Sequence, residues 1–205
     1  MSKLAKPRPD GRVERGARNH TLIVQAMYDL IRGGQIQPTM DEVARRAGVG
    51  TRTVFRQFQD IETLYRSLGE RVQRDALEGL VPIVLTSRLT EDLSALVARR
   101  AILFERLTPF RRAGRLVRHQ SSFLAEQDAR MAQALRVMLE LVVSPHLAPR
   151  SEDTIEALDA LLSFEAWDRL RDQQGLGRDH AVRVLTGAAT TLVTSARRKR
   201  APVRT

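Results

Sequence analysis

The sequence predicts an all-α protein of about nine helices, in which a long fourth helix joins a three-helix N-terminal head to a larger helical body. Two observations predict this class. Apolar residues recur every three or four positions along the chain, whereas no segment alternates with a period of two. Hydroxyl or carboxylate residues precede several apolar stripes, and glycine or proline follows most of them, as expected at helix starts and ends.

The first predicted elements are an arm and a helix. Residues 1–12 are basic and contain proline and glycine, which predicts a flexible arm. A first helix is expected from about Val13 to Ile31, and Gly33 and Gly34 end it. Its apolar stripe comprises Leu22, Ile23, Ala26, Met27, Leu30 and Ile31.

The window at residues 39–58, TMDEVARRAGVGTRTVFRQF, predicts two short helices joined by a tight turn. Thr39 and Glu42 have the spacing of a capping box, in which each side chain satisfies a backbone N–H group of the other residue. Gly48 stands where the chain must reverse, a place that favours a residue able to adopt positive φ. Thr51 is expected to cap the second helix.

The second helix of this window is expected to have an apolar and a polar side, and the pair forms a helix-turn-helix over about residues 38–57. Val54, Phe55 and Phe58 are expected to point inward. The residues expected on the outer side are Arg52, Thr53, Arg56 and Gln57. That side offers hydrogen-bond donors and no carboxylate, which suits contact with phosphates and base edges. Duplex DNA is therefore the leading candidate partner.

Two further helices follow the window. Asp60 is expected to cap a fourth helix that ends near Pro82. Its stripe comprises Ile61, Leu64, Tyr65, Leu68 and Val72. Thr90 is expected to cap the next helix, which runs through Leu107. Its inward residues comprise Leu93, Leu96, Val97, Ala101, Phe104 and Leu107.

The remaining helices are expected at residues 109–119, 121–143, 151–171 and 178–198. Pro109 starts the first of them. Ser121 or Ser122 opens the second, which Pro145 stops, and Ser151 opens the third.

The formal charge of +10 is concentrated at the two ends of the chain. Residues 1–75 hold 14 Lys and Arg against nine Asp and Glu, and residues 76–196 hold 15 of each kind. The segment at 197–205 adds five Lys and Arg. A basic segment attracts phosphate-rich polymers by a salt-sensitive force that does not depend on base sequence. An effect on solubility alone is the alternative, and it is favoured for the C-terminal segment.

The residue inventory argues against an enzyme. The chain has no cysteine, which excludes disulfides, thiol nucleophiles and thiolate metal sites. Its four histidines, at positions 20, 119, 146 and 180, lack metal-ligand spacing, and no phosphate loop or nucleophile elbow is present. Neither a cofactor nor a bound metal is therefore expected. Residues 1–20 have no apolar core of a signal peptide and no run suits a membrane span, so a cytoplasmic protein is expected.

Residues 15–75 resemble the N-terminal domain of the TetR family of bacterial transcriptional regulators. The resemblance is carried by the capped unit at 39–58 with its T-V-F-R-Q-F run, and by the D-I-E-T-L-Y entry at 60–65 into the fourth helix. It implies a homodimer that binds a palindromic operator, usually as a repressor, and leaves it when a small molecule enters the body. The implied domains are the arm at 1–12, a DNA-binding domain at 13–75, an effector-binding and dimerisation domain at 76–198 and a basic tail at 199–205.

The resemblance also implies roles for single residues. Thr51, Arg52 and Thr53 match positions that reach base edges, and Arg52 is placed for a bidentate contact to guanine. Thr39 and Gln57 match positions that usually hold phosphates. The whole DNA-binding set comprises Thr39, Gly50, Thr51, Arg52, Thr53, Phe55, Arg56 and Gln57, together with Arg12, Arg15 and Arg18.

Two positions depart from the family pattern. The family usually has tyrosine at Phe55, whose hydroxyl commonly reaches a phosphate, and often has a phosphate-binding lysine at Ile61. Each lost contact would cost on the order of 1–3 kcal/mol if nothing replaced it. Arg12, Arg15 and Arg18 are the expected replacements.

The apolar stripes of the body predict a dimer surface and a ligand pocket. The last two helices are expected to form a four-helix contact between two copies. Its residues comprise Leu158, Leu162, Leu185, Ala189, Leu192 and Val193. The pocket for a small-molecule effector is expected among Phe104, Phe110, His119, Phe123, Met131, Met138, Phe164 and Trp167. An ordinary core role is the alternative for both sets.

Two other functions remain open at this point. The basic ends and the two departures favour a non-specific, nucleoid-type DNA binder. The helical body favours a small-molecule binding protein whose head does not read DNA.

Overall fold

The computed structural model describes residues 11–115, 121–147 and 151–198. All regular secondary structure in these ranges is helical, with nine α-helices, so the all-α prediction is confirmed. No helix in the described ranges is long and apolar enough to cross a membrane.

Internal contacts divide the chain into two compact units. The first comprises Met1–Asp75 and Pro109–Leu124, and the second comprises Ala76–Thr108 and Ala125–Thr205. The sequence predicts residues 109–124 as part of the body, whereas the described residues among them, 109–115 and 121–124, group with the first unit.

The first unit contains α1 (Gly11–Arg32), α2 (Met40–Ala47), α3 (Thr51–Gln57) and most of α4 (Ile61–Leu77). Its core comprises Ile23, Val24, Ala26, Met27, Tyr28, Ile31, Val43, Ala44, Val54, Phe58, Leu64, Tyr65, Leu68 and Val72.

Three details of the first unit differ from the prediction. Arg12 belongs to α1 and not to an arm, and residues 1–10 of the predicted arm lie outside the described residues. Leu22 is 39% exposed, because the buried face of α1 is centred on Met27 and takes in Tyr28 instead. Ile61 is also 39% exposed, since it is the first residue of α4 and precedes the buried stripe.

The predicted capping box and glycine turn of the helix-turn-helix are confirmed. The Thr39 N–H donates to Glu42 Oε2 at 2.7 Å, and the Glu42 N–H donates to Thr39 Oγ1 at 3.3 Å. The bonds that the Thr39 N–H and hydroxyl donate to the carboxylate stabilise its charged form and lower the pKa of Glu42. Gly48 has φ of 67°, and its N–H donates to the Ala44 and Arg45 carbonyls of α2. A residue with Cβ is strained in this left-handed conformation.

The starts and ends of α3 and α4 follow the prediction only in part. Gly50, not Thr51, is the N-cap of α3, and it provides no side-chain cap. Asp60 caps α4 as predicted, because the Thr63 N–H donates to its Oδ1 at 2.7 Å. The helix ends at Leu77, before Pro82. Gly79 has φ of 67° and turns the chain away first.

Helix α5 (Leu89–Arg115) continues through Pro109, where the sequence predicted a new helix. A proline inside a helix removes one backbone hydrogen bond. The burial of Leu107 and Ala113 on either side offsets this loss. The Thr108 hydroxyl, directly before the proline, donates to the Phe104 carbonyl at 2.7 Å. Because α5 is unbroken, it contributes residues to both units.

The second unit contains most of α6 (Ser122–Val143) and all described residues of α9 (Arg178–Arg198). Both helices lie close to the predicted boundaries. The Leu124 N–H donates to Ser121 Oγ at 3.3 Å, so Ser121 provides the predicted cap of α6. A short 3-10 turn at Ser144–His146 follows α6.

The helix predicted at 151–171 is broken into α7 (Glu152–Leu161), α8 (Phe164–Asp168) and a π-helical turn at Arg169–Gln173. Ser163 causes the break because it adopts extended backbone and its hydroxyl accepts from the Ala166 N–H at 3.2 Å. Ser151 precedes α7 without a side-chain cap bond.

A buried arginine of α5 contacts the backbone at the break between α7 and α8. Arg100 is 4% exposed, and its guanidinium donates to the Leu162 carbonyl at 2.6 Å and to the Leu135 carbonyl. Burial disfavours the charge and lowers the pKa of Arg100 to about 10. The arginine therefore ties α5 to α6 and to the end of α7.

Candidate nucleic-acid interface

The buried side of α3 fixes the orientation of the helix within the first unit. Val54 and Phe58 are 0% and 1% exposed. The Phe58 ring lies 4.8 Å from the His20 ring of α1, and His20 Nε2 is 3.2 Å from the Ser67 hydroxyl of α4. One face of α3 thus packs against α1 and α2, which leaves the opposite face to solvent.

The solvent face of α3 includes Phe55, contrary to the prediction that it points inward. Phe55 is 58% exposed, whereas Arg52 and Arg56 are exposed as predicted. The reason is helical spacing. Val54 and Phe58 stand four residues apart and occupy the buried stripe, whereas Phe55 shares its side of the helix with Thr51 and Arg52. A large aromatic ring therefore lies on the surface predicted to meet DNA.

The start of α3 carries a hydrogen bond that the sequence did not predict. The Thr51 hydroxyl donates to Asp41 Oδ1 of α2 at 2.8 Å. Helix α3 itself has no carboxylate, as predicted, but Asp41 of α2 adds one at its start. The prediction was limited to α3, and Asp41 reaches the helix from ten residues earlier in the chain. The acid in the first turn of α2 was visible in the sequence, but its proximity to Thr51 depends on tertiary structure.

The remaining predicted contacts lie at the edges of this surface. Thr53 and Gln57 are half-buried. A Cβ atom on Gly16 of α1 would lie 3.8 Å from Gln57 Nε2, so the Gln57 amide packs beside α1. Thr39 is exposed, and its hydroxyl already donates to Glu42 Oε2 at 2.7 Å.

Three arginines of α1 line the exposed start of that helix. Arg12, Arg15 and Arg18 are all exposed, and the Arg15 Nε donates to the Gly11 carbonyl at 2.9 Å. They stand near Gly16, which faces Gln57 of α3. Their predicted role as replacements for lost phosphate contacts stays a prediction.

The aromatic residues predicted to line one pocket are divided between the two units. Phe110 packs against Tyr28 at 4.9 Å in the first unit, where the Arg66 guanidinium also lies 4.5 Å from the Phe123 ring centre. Phe104, Phe164 and Trp167 form a cluster in the second unit. Met131 and Met138 are half-buried on α6, and His119 lies outside the described residues.

The cluster of the second unit is joined to a charged pair. Glu105 accepts hydrogen bonds from Trp167 Nε1 at 3.1 Å and from Arg171 Nε at 2.7 Å. Trp167 is 1% exposed. Within the described residues, no group of three His, Asp or Glu is placed to hold a metal ion.

Five of the six predicted dimer residues are core residues of the single chain. Leu158, Leu162, Leu185, Ala189 and Val193 are each at most 4% exposed, and only Leu192 is partly exposed. A partner molecule cannot contact side chains that α7 and α9 already bury against each other. These residues are therefore corrected to intrachain packing.

Comparison with known proteins agrees with the resemblance in the sequence. Residues 32–68 match the family model of bacterial regulatory proteins of the tetR family. The crystal structure of a transcriptional regulator from Rhodococcus sp. Rha1 matches this fold with a TM-score of 0.66 and 18% sequence identity, over 86% of this chain and 97% of that chain. At this identity the likeness shows the fold alone. A comparison with curated proteins gives no match.

The two phenylalanines of the T-V-F-R-Q-F run should respond differently to substitution. Phe58→Ala is expected to lower the free energy of unfolding by about 3–5 kcal/mol, because it empties a core position. Phe55→Ala should change it by less than about 0.5 kcal/mol, because the ring is exposed, and should weaken DNA binding. Urea unfolding and fluorescence anisotropy with duplex DNA measure the two effects. Equal destabilisation by both variants would contradict the exposed position of Phe55.

Proposed function

We propose that the protein is a member of the TetR family of bacterial transcriptional regulators and a dimeric repressor of the bacterial cytoplasm, because residues 32–68 match the model of that family. It binds a palindromic operator and leaves it when a small molecule binds the second unit. The observation that carries the proposal is the amphipathic packing of α3. Its buried side packs against α1 and α2, and its exposed side presents Arg52, Phe55 and Arg56.

The exposed side of α3 has the chemistry of major-groove recognition. Arg52 stands at the second position of the helix, where side chains of a recognition helix reach base edges. Its guanidinium can donate two parallel bonds to guanine O6 and N7. The exposed Phe55 ring offers an apolar contact to thymine methyl groups or to sugars. Arg56, together with the α1 arginines, supplies positive charge for the phosphates.

Dimerisation is proposed to use the exposed sides of α7 and α9. On α9 these are small or uncharged side chains at helical spacing, namely Val184, Gly187, Thr191 and Ser195. On α7 the exposed positions include Ala157 and Ala160. Small residues let helix backbones approach closely, which suits a twofold contact between two copies. Two heads in one dimer would then read two half-sites spaced by one helical turn.

The effector is proposed to bind at the aromatic cluster of the second unit. The Phe104 ring lies 5.6 Å from that of Phe164 and 6.3 Å from that of Trp167. Aromatic residues next to a polar pair such as Glu105 and Arg171 are typical of small-molecule sites. Helix α5 contributes to both units and is the proposed link between effector and head.

Selection of bound sites from random duplex DNA tests the base contact of Arg52. The wild-type protein should enrich a palindrome, and Arg52→Ala should lose about 1–3 kcal/mol of preference at one base pair of each half-site. Arg130→Ala, which removes an exposed arginine of α6, should leave the enriched sequence unchanged. Identical enrichment by the wild type and Arg52→Ala would remove Arg52 from the interface. Enrichment of no sequence would instead support a nucleoid-type binder.

Gly187→Glu tests the dimer surface. The site has open space around it and lies inside α9, so the new side chain should not impair folding and should improve helix propensity. We expect the variant to be monomeric by sedimentation, because two like charges would face each other across the twofold axis. Gly187→Ala should remain dimeric. A dimeric Gly187→Glu protein would exclude this face of α9.

The single tryptophan reports on the proposed effector site. An apolar ligand that enters the cluster should change the emission of Trp167, and the same ligand should release labelled operator DNA. Glu105→Gln weakens the bond to Arg171 and should change ligand affinity. A ligand that releases DNA without any change in Trp167 emission, in both proteins, would place the effector elsewhere.

A further inference from the structure

We propose that Asp41 reads a cytosine in each half-site, with Thr51 as its positioning residue. This inference rests on the proposed function, because it needs the first unit to dock on a duplex through α3. It concerns a residue of the supporting helix α2 that the sequence did not connect with base recognition. The bond between the Thr51 hydroxyl and Asp41 Oδ1 brings a carboxylate to the beginning of the recognition helix.

The hydrogen bond to Thr51 places the Asp41 carboxylate beside the start of α3. Thr51 is the first residue of α3 and directly precedes Arg52, so a group bonded to Thr51 lies beside the side chains that enter the groove. Asp41 is exposed. Within the described residues, its Oδ2 atom has neither an ion pair nor a hydrogen bond, so that oxygen retains its capacity to accept one.

The chemistry of a carboxylate selects cytosine among the four bases. An ionised carboxylate only accepts hydrogen bonds. In the major groove cytosine presents the N4 amino donor, whereas guanine presents two acceptors and thymine presents an acceptor and a methyl group. Adenine presents an amino donor next to the N7 acceptor, which repels a second oxygen. Cytosine is therefore the base whose edge best matches Asp41.

The bond to Thr51 gives this contact its geometry. An exposed aspartate rotates freely, and ordering it on DNA costs side-chain entropy. The Thr51 hydroxyl holds Oδ1 before DNA arrives and leaves Oδ2 to face the base. The negative charge of Asp41 also repels the DNA phosphates and weakens binding to all duplexes. Asp41 therefore raises selectivity for its preferred base and lowers non-specific affinity.

If Asp41 had only a structural role, its substitution would have different effects from those expected for base recognition. An acid in the first turn of α2 interacts favourably with the helix dipole, and a bond between α2 and α3 stabilises the head. Removal of the charge would then alter stability and raise affinity for every duplex by the same factor. Reading of a base instead alters preference at one position.

Selection from random duplexes with four variants separates these roles. The wild type should enrich cytosine at one position of each half-site, and Asp41→Asn should reduce that preference by about tenfold or shift it to adenine, which asparagine recognises. Thr51→Val should reduce the preference, and Thr51→Ser, which keeps the hydroxyl, should retain it. Glu70→Gln removes an exposed carboxylate of α4 and should leave the preference unchanged.

A base analogue then tests whether the cytosine N4 amino group is the donor that Asp41 recognises. Replacement of the selected cytosine by 2-pyrimidinone, which lacks the amino group, should weaken wild-type binding by at least about fivefold more than binding of Asp41→Asn. Equal losses for both proteins, or a uniform gain of affinity by Asp41→Asn with unchanged base preference, would overturn the inference. Enrichment of a palindrome by the wild type keeps these results distinct from failure of the proposed function, in which no sequence is enriched at all.

Discussion

The burial of Val54 and Phe58 is the interaction on which the interface depends. A helix of seven residues has little stability of its own, so its orientation comes from tertiary packing. Helix α3 packs against α1 and α2, and the Phe58 ring that follows it lies against His20 of α1, which in turn contacts Ser67 of α4. Val54 and the C-cap residue Phe58 take the buried positions, so Arg52, Phe55 and Arg56 stay exposed for a partner. The exposure of Phe55 and the bond between Thr51 and Asp41 follow from that orientation.

The parts of the fold that local chemistry determines were predictable from the sequence. The capping box of Thr39, the left-handed Gly48 and the cap at Asp60 each depend on residues within four positions of one another. Phe55 was misplaced because hydrophobicity alone assigned it inward, although helical spacing puts it beside Arg52. Asp41 was missed because its partner stands on another helix, and no local pattern records such a contact. The predicted base and phosphate contacts themselves stay predictions.

The body was harder to predict because burial in its core outweighs some local sequence signals for helix starts and ends. Pro109 predicted a helix start, but burial on both sides outweighed one lost hydrogen bond in α5. Ser163 predicted nothing by itself, yet it caps α8 and breaks the expected long helix. The apolar stripes of α7 and α9 show why a dimer surface is hard to predict from sequence. An apolar helix face that packs within a chain has the same periodicity as one that packs between chains. The exposed small residues of α9 provide the better criterion for a dimer surface.

Methylation protection tests the central claim most directly, because dimethyl sulfate reacts with guanine N7 in the major groove. If the exposed side of α3 enters the groove in two copies, the wild-type protein should protect guanines of its selected duplex in two successive major grooves, roughly ten base pairs apart on one face of the DNA. Protection that extends evenly along the duplex, or full reactivity of every guanine under conditions of complete binding, would contradict the account.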